Sequence, residues 1–308
     1  MSLYPDYPPC LVHGDFAIVR FGLILQADAC LTFDTLLGLR GMLSLAARDA
    51  LGEQGACLFD PQLSGDQVAT RRFQKPAPGF VLMPGRDLLG EQEAGDMVRL
   101  ELLFLGTAVQ SIGDFILLLQ RLGSPGPGLA DLRFQLAEVE TLGPDGRWRR
   151  LWQSSRRNSE LLPVLLRIDQ WLEQQWPVQL PVDLAFFTPL RLVAGGRILR
   201  RPRFGQIFPF MLRRVTSMLH YYCSLEAVDD PAPLLDAARE IEGTWIDTEW
   251  IDWREIGEDK HLGGLTGILR LKEPGLERLL WVTLLAAQWG IGKGAAYGAG
   301  RFRVGAAG

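Results

Sequence analysis

"GIGKGAAYGAGRFRV", residues 290–304, joins a predicted helix to the last predicted strand of the chain. Glycine occupies five of these positions, and Lys293, Arg301 and Arg303 supply three positive charges. A second link of the same kind, "LGSPGPGLADL" at 122–132, also follows a predicted helix and precedes a predicted strand. Because both links occupy the same place in the order of elements, the sequence predicts an internal duplication.

Hydrophobic periodicity predicts one order of elements, β-α-β-β-α-β, in each half of the chain. The expected elements of the first half are 16–27, 33–52, 79–84, 96–106, 111–123 and 129–140. Those of the second half are 181–193, 204–222, 244–253, 263–273, 275–290 and 296–304. This order predicts an α+β fold made of tandem ferredoxin-like (RRM-like) domains with a C-terminal glycine-rich loop. The expected bounds are 1–146 for the N-terminal ferredoxin-like domain, 147–180 for a connector, and 181–308 for the C-terminal one, with its loop at 290–300.

The composition is typical of a soluble globular protein, with 47% hydrophobic and 22% charged residues among 308. No apolar run reaches the ~18 residues of a membrane span, and the N-terminus lacks the pattern of a secretion signal. Four cysteines without a CxxC pair and three scattered histidines favour a reducing compartment and predict no metal site. We therefore expect a cytoplasmic protein that contacts no membrane.

The charges are unevenly distributed although the formal net charge is only −4. Residues 191–214 hold seven arginines and no acid, whereas acids dominate 226–259. A polyanion responds to the local basic face rather than to the average charge, so the first segment is a candidate nucleic-acid surface. The alternative is that both segments are ordinary solvated surfaces.

The glycine loop matches neither standard phosphate-binding motif. A P-loop requires a serine or threonine after its lysine, but Lys293 is followed by Gly294 and Ala295. A dinucleotide-binding loop leaves a strand and opens a helix, and this loop does the reverse. We therefore predict no cofactor. A flexible loop with open backbone N–H groups is instead expected to contact a sugar-phosphate backbone, the alternative being a simple tight turn.

The pattern G-x-G-K-x-x-x-[aromatic]-G-x-G-R-[aromatic]-x-[V/I] resembles the C-terminal loop of CRISPR-associated precursor-crRNA-processing endoribonucleases. These enzymes belong to the repeat-associated mysterious protein (RAMP) superfamily. The resemblance extends through "FTPLRL" (187–192), "FGQIFPFMLRRVTSML" (204–219) and "LGGLTGILRL" (262–271). It also includes "LRGML" (39–43) and "GFVLMPG" (79–85).

The resemblance implies two ferredoxin-like domains and a metal-independent cleavage of CRISPR repeat RNA to mature crRNA. In that reaction the 2′-hydroxyl attacks the adjacent phosphate and leaves a 2′,3′-cyclic phosphate, and the enzyme retains its product. Implied partners are repeat RNA or crRNA and other subunits of a CRISPR effector complex. The alternative is a catalytically weak or inactive RNA-binding subunit that caps the crRNA 3′ handle. A third hypothesis is an unrelated small-ligand-binding protein, against which the terminal loop argues.

The identity of the general base is open, because many relatives carry a histidine on or next to the first helix and residues 28–60 here contain none. His220 lies off the apolar stripe of the helix 204–222, with Arg213 and Ser217 on its own face. His261 follows Lys260 in a glycine-rich hairpin, and His13 is the least favoured histidine. Arg40, Arg48 or Tyr297 could fill the site instead, although an arginine would act by orientation and charge. The catalytic candidates retained are His220, His261 and Arg40.

The RNA-binding candidates come from the arginine-rich segment and from the glycine loop. They are Arg197, Arg200, Arg201, Arg203, Arg213, Gly292, Lys293, Gly294, Tyr297 and Arg301. Several phosphate contacts would make binding strongly salt-dependent. No RNP-like aromatic motif lies on a predicted strand, so base stacking across a sheet is not predicted.

Overall fold

A computed structural model describes residues 5–62, 76–83, 89–123, 133–154, 161–177, 180–254, 261–272 and 275–306. The chain divides into two compact units. The first unit contains Asp15–Leu166, and the second contains Met1–Gly14, Arg167–Arg254 and Lys260–Gly308. Among the described helices, none is long and apolar enough to cross a membrane.

The first unit is a sheet covered by helices. Its strands are β1 (Asp15–Leu25), β2 (Ala29–Leu31), β3 (Phe80–Met83), β4 (Gly90–Gln92), β5 (Met97–Leu105), β6 (Phe134–Leu142) and β7 (Trp148–Gln153). Its helices are α1 (Phe33–Leu51), α2 (Glu53–Phe59) and α3 (Ile112–Gly123), the last preceded by a 3₁₀ turn at Gly106–Ser111. The main sheet has the antiparallel order β3-β5-β1-β6-β7, and β2 pairs with β4 separately.

Local sequence signals explain how these helices begin and pack. Thr32 caps α1, because its hydroxyl accepts the backbone N–H of Thr35 and the Thr35 hydroxyl accepts that of Thr32. In α3, Phe115 is fully buried and packs edge-on against Phe80 of β3 and Phe104 of β5, at ring-centroid distances of 4.8 and 5.2 Å. The helix is thereby fixed on one face of the sheet.

The second unit repeats the arrangement. A two-residue strand β8 (Leu166–Arg167) spans the boundary and leads into α4 (Ile168–Gln175). The remaining strands are β9 (Val182–Leu190), β10 (Val193–Ala194), β11 (Arg197–Ile198), β12 (Gly243–Arg254), β13 (His261–Leu271) and β14 (Phe302–Ala306). The helices are α5 (Phe204–Cys223), α6 (Ala232–Glu240) and α7 (Glu277–Trp289), with 3₁₀ turns at Pro9–His13 and Ala295–Tyr297. The sheet has the antiparallel order β12-β13-β9-β14.

The two sheets place their equivalent strands in the same spatial order, since β3-β5-β1-β6 corresponds to β12-β13-β9-β14. In both, the first strand of the β-α-β-β-α-β unit lies between the third and the fourth. This is the order of a ferredoxin-like domain, and the predicted fold class is confirmed.

Several elements differ from the predicted ones. Strand β7 and helix α4 lie within 147–180, for which the sequence predicts a connector, and helix α6 is an addition to the predicted elements. The last strand begins at Phe302, so the prediction that 296–304 is strand throughout is wrong. Gly298 and Gly300 have positive φ, which is incompatible with an extended strand. The first glycine-rich link falls largely outside the described residues, as do residues 129–132 of the predicted strand that follows it. The domain bounds drawn from the sequence stay predictions.

Candidate nucleic-acid interface

The glycine loop between α7 and β14 is tightly bonded to the end of β9. The N–H of Gly300 donates to the carbonyl of Pro189 at 2.9 Å, and the N–H of Lys293 donates to that of Arg191 at 3.0 Å. The two ends of the loop also meet, since the N–H of Ile291 donates to the carbonyl of Gly300 at 3.1 Å. The loop is therefore a packed part of the sheet edge rather than the flexible segment expected from its composition.

Close packing explains the glycines. All five have positive φ, from 61° at Gly300 to 92° at Gly298, which side chains rarely adopt. A Cβ at Gly300 would lie 1.9 Å from the carbonyl oxygen of Ile291, and one at Gly292 would lie 2.4 Å from that of Arg191. The turn requirement alone thus accounts for the glycine content, and evidence for a ligand must come from the groups that remain exposed.

Three groups of the loop remain available to an anion. The side chain of Lys293 is exposed. Within the described part of the chain, the N–H groups of Gly292 and Gly294 on either side of it have no acceptor. One ammonium group flanked by two N–H groups is suited to a single phosphate.

Tyr297 and Arg301, the other loop candidates, are buried. Arg301 is 7% exposed and its N–H donates to the hydroxyl of Thr188 at 2.7 Å. Its guanidinium lies 5.6 Å from the centroid of the Phe187 ring. Tyr297 is 6% exposed and ends the 3₁₀ turn. The structure therefore places both residues where they support the loop.

The arginine-rich segment lies on the surface of the same unit. Arg197 is exposed on the hairpin of β10 and β11, whose turn contains Gly195 and Gly196 at φ of 54° and 74°. The neighbouring Arg200 and Arg201 are also exposed, and each contacts a residue of β12. The guanidinium of Arg200 lies 5.1 Å from the centroid of the Trp250 ring, and Arg201 donates to the Thr248 hydroxyl at 2.9 Å.

The two remaining candidates belong to α5. Arg203 is exposed at the N-cap of the helix, where its N–H donates to the side chain of Gln206 at 2.9 Å. Arg213 is exposed and lies over the Phe210 ring at 5.2 Å. Aromatic and polar neighbours restrain most of the predicted arginines while leaving them at the surface, which lowers the entropy lost when they bind a phosphate.

Two arginines that sequence reasoning did not select support the loop. The guanidinium of the half-buried Arg214 donates through Nε and Nη2 to the carbonyl of Trp289, the last residue of α7, at 3.2 and 3.1 Å. Burial lowers the pKa of Arg214 to about 10. Arg191 donates through Nη1 to the carbonyl of Gly263 at 2.9 Å, and its own carbonyl accepts the backbone N–H of Lys293. Spacing could have revealed Arg214, because it lies three residues after Met211 and four before Met218 on the apolar stripe.

The catalytic candidates belong to three different elements. His220 is half-buried in the last turn of α5, and its ring packs edge-on against that of Tyr221 at 5.3 Å. His261 begins β13 opposite Arg254, and Arg40 lies within α1, but the side chains of His261 and Arg40 are outside the described ones. Among the described residues, no group of His, Cys, Asp or Glu is arranged to hold a metal ion.

Family models match both halves of the chain. Residues 184–302, from β9 to the first residue of β14, match the family of the CRISPR-associated endoribonuclease Cas6. The match covers less than half of the chain and describes this segment alone. Residues 55–163 match a model described as an N-terminal domain. The Cas6 match agrees with the resemblance to RAMP-type endoribonucleases that the sequence carries. A comparison with curated protein sequences gives no match.

Solved Cas6 structures share the fold. Thermus thermophilus Cas6 is 14% identical, with a TM-score of 0.57, and the match covers 94% of this chain and 98% of that one. A Cas6 product complex is 17% identical, with a TM-score of 0.60 and coverage of 94% and 99%. A partial Cas6-RT-Cas1–Cas2 complex is also 17% identical with a TM-score of 0.60, covering 99% of this chain and 47% of that one. Similarity at this level of identity concerns the fold.

Proposed function

We propose that this chain is a metal-independent endoribonuclease that cleaves CRISPR repeat RNA to mature crRNA and retains the product. The observation that carries the proposal is the packed glycine loop of the segment that matches Cas6. This loop presents Lys293 between two N–H groups that have no acceptor among the described residues. A helix C-terminus ordinarily repels an anion, because its last carbonyls carry partial negative charge. Here Arg214 binds the carbonyl of Trp289 directly before the loop, so the repulsion is reduced.

The proposed reaction needs only protein side chains. A base takes the proton of the 2′-hydroxyl, and the oxygen attacks the adjacent phosphorus. The bond from phosphorus to the 5′ oxygen then breaks, and an acid protonates the leaving oxygen. Cationic groups stabilise the crowded phosphorane, a role that Lys293 fills in this proposal. The products are a 2′,3′-cyclic phosphate and a 5′-hydroxyl.

His220 is the proposed base, because a neutral imidazole accepts a proton near pH 7 and its residue is partly exposed on α5. His261 and Arg40 remain the other candidates, His261 as a second imidazole and Arg40 as a charge that orients the phosphate. The exposed arginines at 197, 200, 201, 203 and 213 are proposed to bind phosphates of the repeat RNA.

A second candidate function is a non-catalytic subunit that binds the 3′ handle of crRNA. It is favoured by the sequence of α1, which contains no histidine between Phe33 and Leu51. Either function agrees with other CRISPR proteins as partners, a proposal supported by the similarity to the Cas6 part of the Cas6-RT-Cas1–Cas2 complex.

Incubation of the purified protein with end-labelled repeat RNA in EDTA separates the two candidates. Site-specific cleavage that leaves a cyclic phosphate would support the endoribonuclease, and tight binding without cleavage would support the capping subunit. If cleavage occurs, His220→Ala and His261→Ala assign the base, and unchanged rates in both would contradict the assignment. Absence of binding to any repeat RNA at moderate salt would contradict both functions.

A further inference from the structure

The sheet of the second unit has one buried face and one partly open face. Along β9, Val182, Leu184 and Phe186 are buried, whereas the alternate residues 183, 185 and 187 are only half-buried. Along β14, Phe302 is buried and Arg303 is exposed. Because side chains alternate between the faces of a strand, Phe187 and Arg303 lie on the same open face.

The ring of Phe187 contacts two guanidinium groups. The Cζ atom of Arg303 lies 5.4 Å from the centroid of the Phe187 ring, and that of Arg301 lies 5.6 Å from it. Cations at such distances are attracted by the ring. The partially exposed Phe187 and the exposed Arg303 thus form a preorganised pair next to the buried Arg301.

The charge of Arg303 is available to a ligand. Among the residues that the structure describes, no carboxylate forms an ion pair with it. The nearest acid along β9 on this face, Asp183, is bound in bidentate fashion by Arg270, through two contacts of 2.8 Å. The positive charge at Arg303 is therefore not compensated by the sheet itself.

An arginine held against an aromatic ring is suited to an unpaired nucleotide. Its planar guanidinium can stack on a nucleobase, and its N–H edge can donate to a phosphate. Arg303 lies two residues beyond Arg301, which ends the glycine loop, and two residues of a strand span about 7 Å. A chain of RNA held at the loop could therefore extend along β14.

We propose that Phe187 and Arg303 form a subsite for an unpaired nucleotide of the bound RNA, whose base stacks on this pair. The subsite lies outside the glycine loop and adds base stacking to the phosphate contacts. It rests on the proposed function, because it presupposes that the second unit binds RNA. It also differs from the sequence-based expectation that bases do not stack on this sheet.

The test compares an RNA hairpin with the same hairpin carrying a short unpaired extension that contains 2-aminopurine. In a third probe, abasic sugars replace the bases of the extension, which keeps the phosphates and removes stacking. We expect Phe187→Leu and Arg303→Ala to weaken binding of the extended hairpin about tenfold, with little effect on the bare and abasic probes. Arg303→Lys keeps the charge but loses the planar group, so it should recover only part of the affinity. Wild-type protein should quench 2-aminopurine fluorescence.

Each outcome is decisive for one proposal. Equal loss for the extended, bare and abasic probes would contradict the subsite and indicate a general phosphate contact. Unchanged binding of all probes in Arg303→Ala, which alters an exposed side chain, would also contradict it, whatever the effect of Phe187→Leu on folding. If the wild-type protein binds the bare hairpin but does not quench 2-aminopurine, the subsite fails and the proposed function stands. If no probe binds, the proposed function itself fails.

Discussion

Each unit holds an arginine against an aromatic ring on its sheet, but the two arginines differ in their counter-charge. In the first unit, Arg20 of β1 lies 4.0 Å from the centroid of the Trp148 ring and forms an ion pair with Glu140 at 2.7 Å. Both members of that pair are 19% exposed. In the second unit, Arg303 stacks on Phe187, is exposed, and has no such carboxylate among the described residues.

The difference shows that two sheets of the same strand order need not offer the same charge to a ligand. The carboxylate of Glu140 accepts hydrogen bonds from Nε and Nη2 of Arg20 and offsets its charge, so Arg20 contributes to the packing of the first sheet. Without that carboxylate, the same stacking holds Arg303 in position for an external anion. Local charge pairing, rather than the fold, is the reason why the proposed nucleic-acid surface lies on the second unit.

The largest effect is expected from a substitution that disturbs the backbone of the glycine loop in the second unit. Gly300→Ala places a Cβ 1.9 Å from the carbonyl oxygen of Ile291 at φ of 61°, so we expect the free energy of unfolding to fall by about 3 kcal/mol. Gly146→Ala in the first unit is the matched control. That residue also has positive φ, 73°, but no atom lies within 4 Å of the added Cβ, so a loss of about 1 kcal/mol is expected.

Urea denaturation of both variants measures this difference. RNA affinity, measured under conditions where both variants are folded, should fall for Gly300→Ala and stay unchanged for Gly146→Ala. Equal losses of stability would show that the loop relaxes around the new side chain and is not a rigid support for Lys293.

A smaller loss is expected when the charge presented by the loop is reversed. Lys293→Glu removes one phosphate contact and adds a repulsion between two N–H groups that favour an anion, so RNA affinity should fall about thirtyfold at low salt. Titration with labelled repeat RNA at several salt concentrations should also give a shallower salt dependence. Lys272→Glu makes the same charge change at an exposed position of the second unit. An equal loss in that control would attribute the effect to net charge rather than to the loop.

One substitution can give Arg303 the carboxylate neighbour that distinguishes Arg20 from it. Ala185 of β9 lies directly opposite Arg303 of β14 in the register. Ala185→Glu would therefore give Arg303 a carboxylate neighbour like that of Arg20, and we expect about fivefold weaker binding of RNA that carries an unpaired extension. Ala185→Gln is the isosteric control without charge, and it should lose much less. Similar affinities of the two variants would contradict the idea that counter-charge determines the binding surface.

The sequence was sufficient for the fold because both halves alternate clearly between strand and helix periodicity. The sequence does not predict helix α6, because the helix has only nine residues, lies in an acidic segment and buries Ala238 alone. The glycines and Lys293 were identified as a special loop. The sequence does not predict that this loop packs against Pro189 and Arg191, because these contacts join segments far apart in the chain.

The same limit applies to the candidate site. The stacking of Arg303 on Phe187 depends on how β14 pairs with β9, and alternation within one strand does not give the register between two strands. Arg214 could have been anticipated from its place on the apolar stripe of α5, but its acceptor, the carbonyl of Trp289, could not. The sequence therefore predicts which residues are unusual more readily than which of them meet.

The smallest effect is expected in the first unit. Glu140→Gln removes the carboxylate that pairs with Arg20 and so makes this arginine resemble Arg303. Glu101 still faces Arg20 from the other side in the register with β5, so only part of the charge becomes available. We expect at most a twofold gain in affinity for single-stranded RNA at low salt, measured by fluorescence anisotropy. The gain should disappear at higher salt, because an exposed charge is screened. A gain as large as the loss in Ala185→Glu would mean that either sheet can bind RNA once its carboxylate is removed, and that the glycine loop is not needed to direct RNA to the second unit.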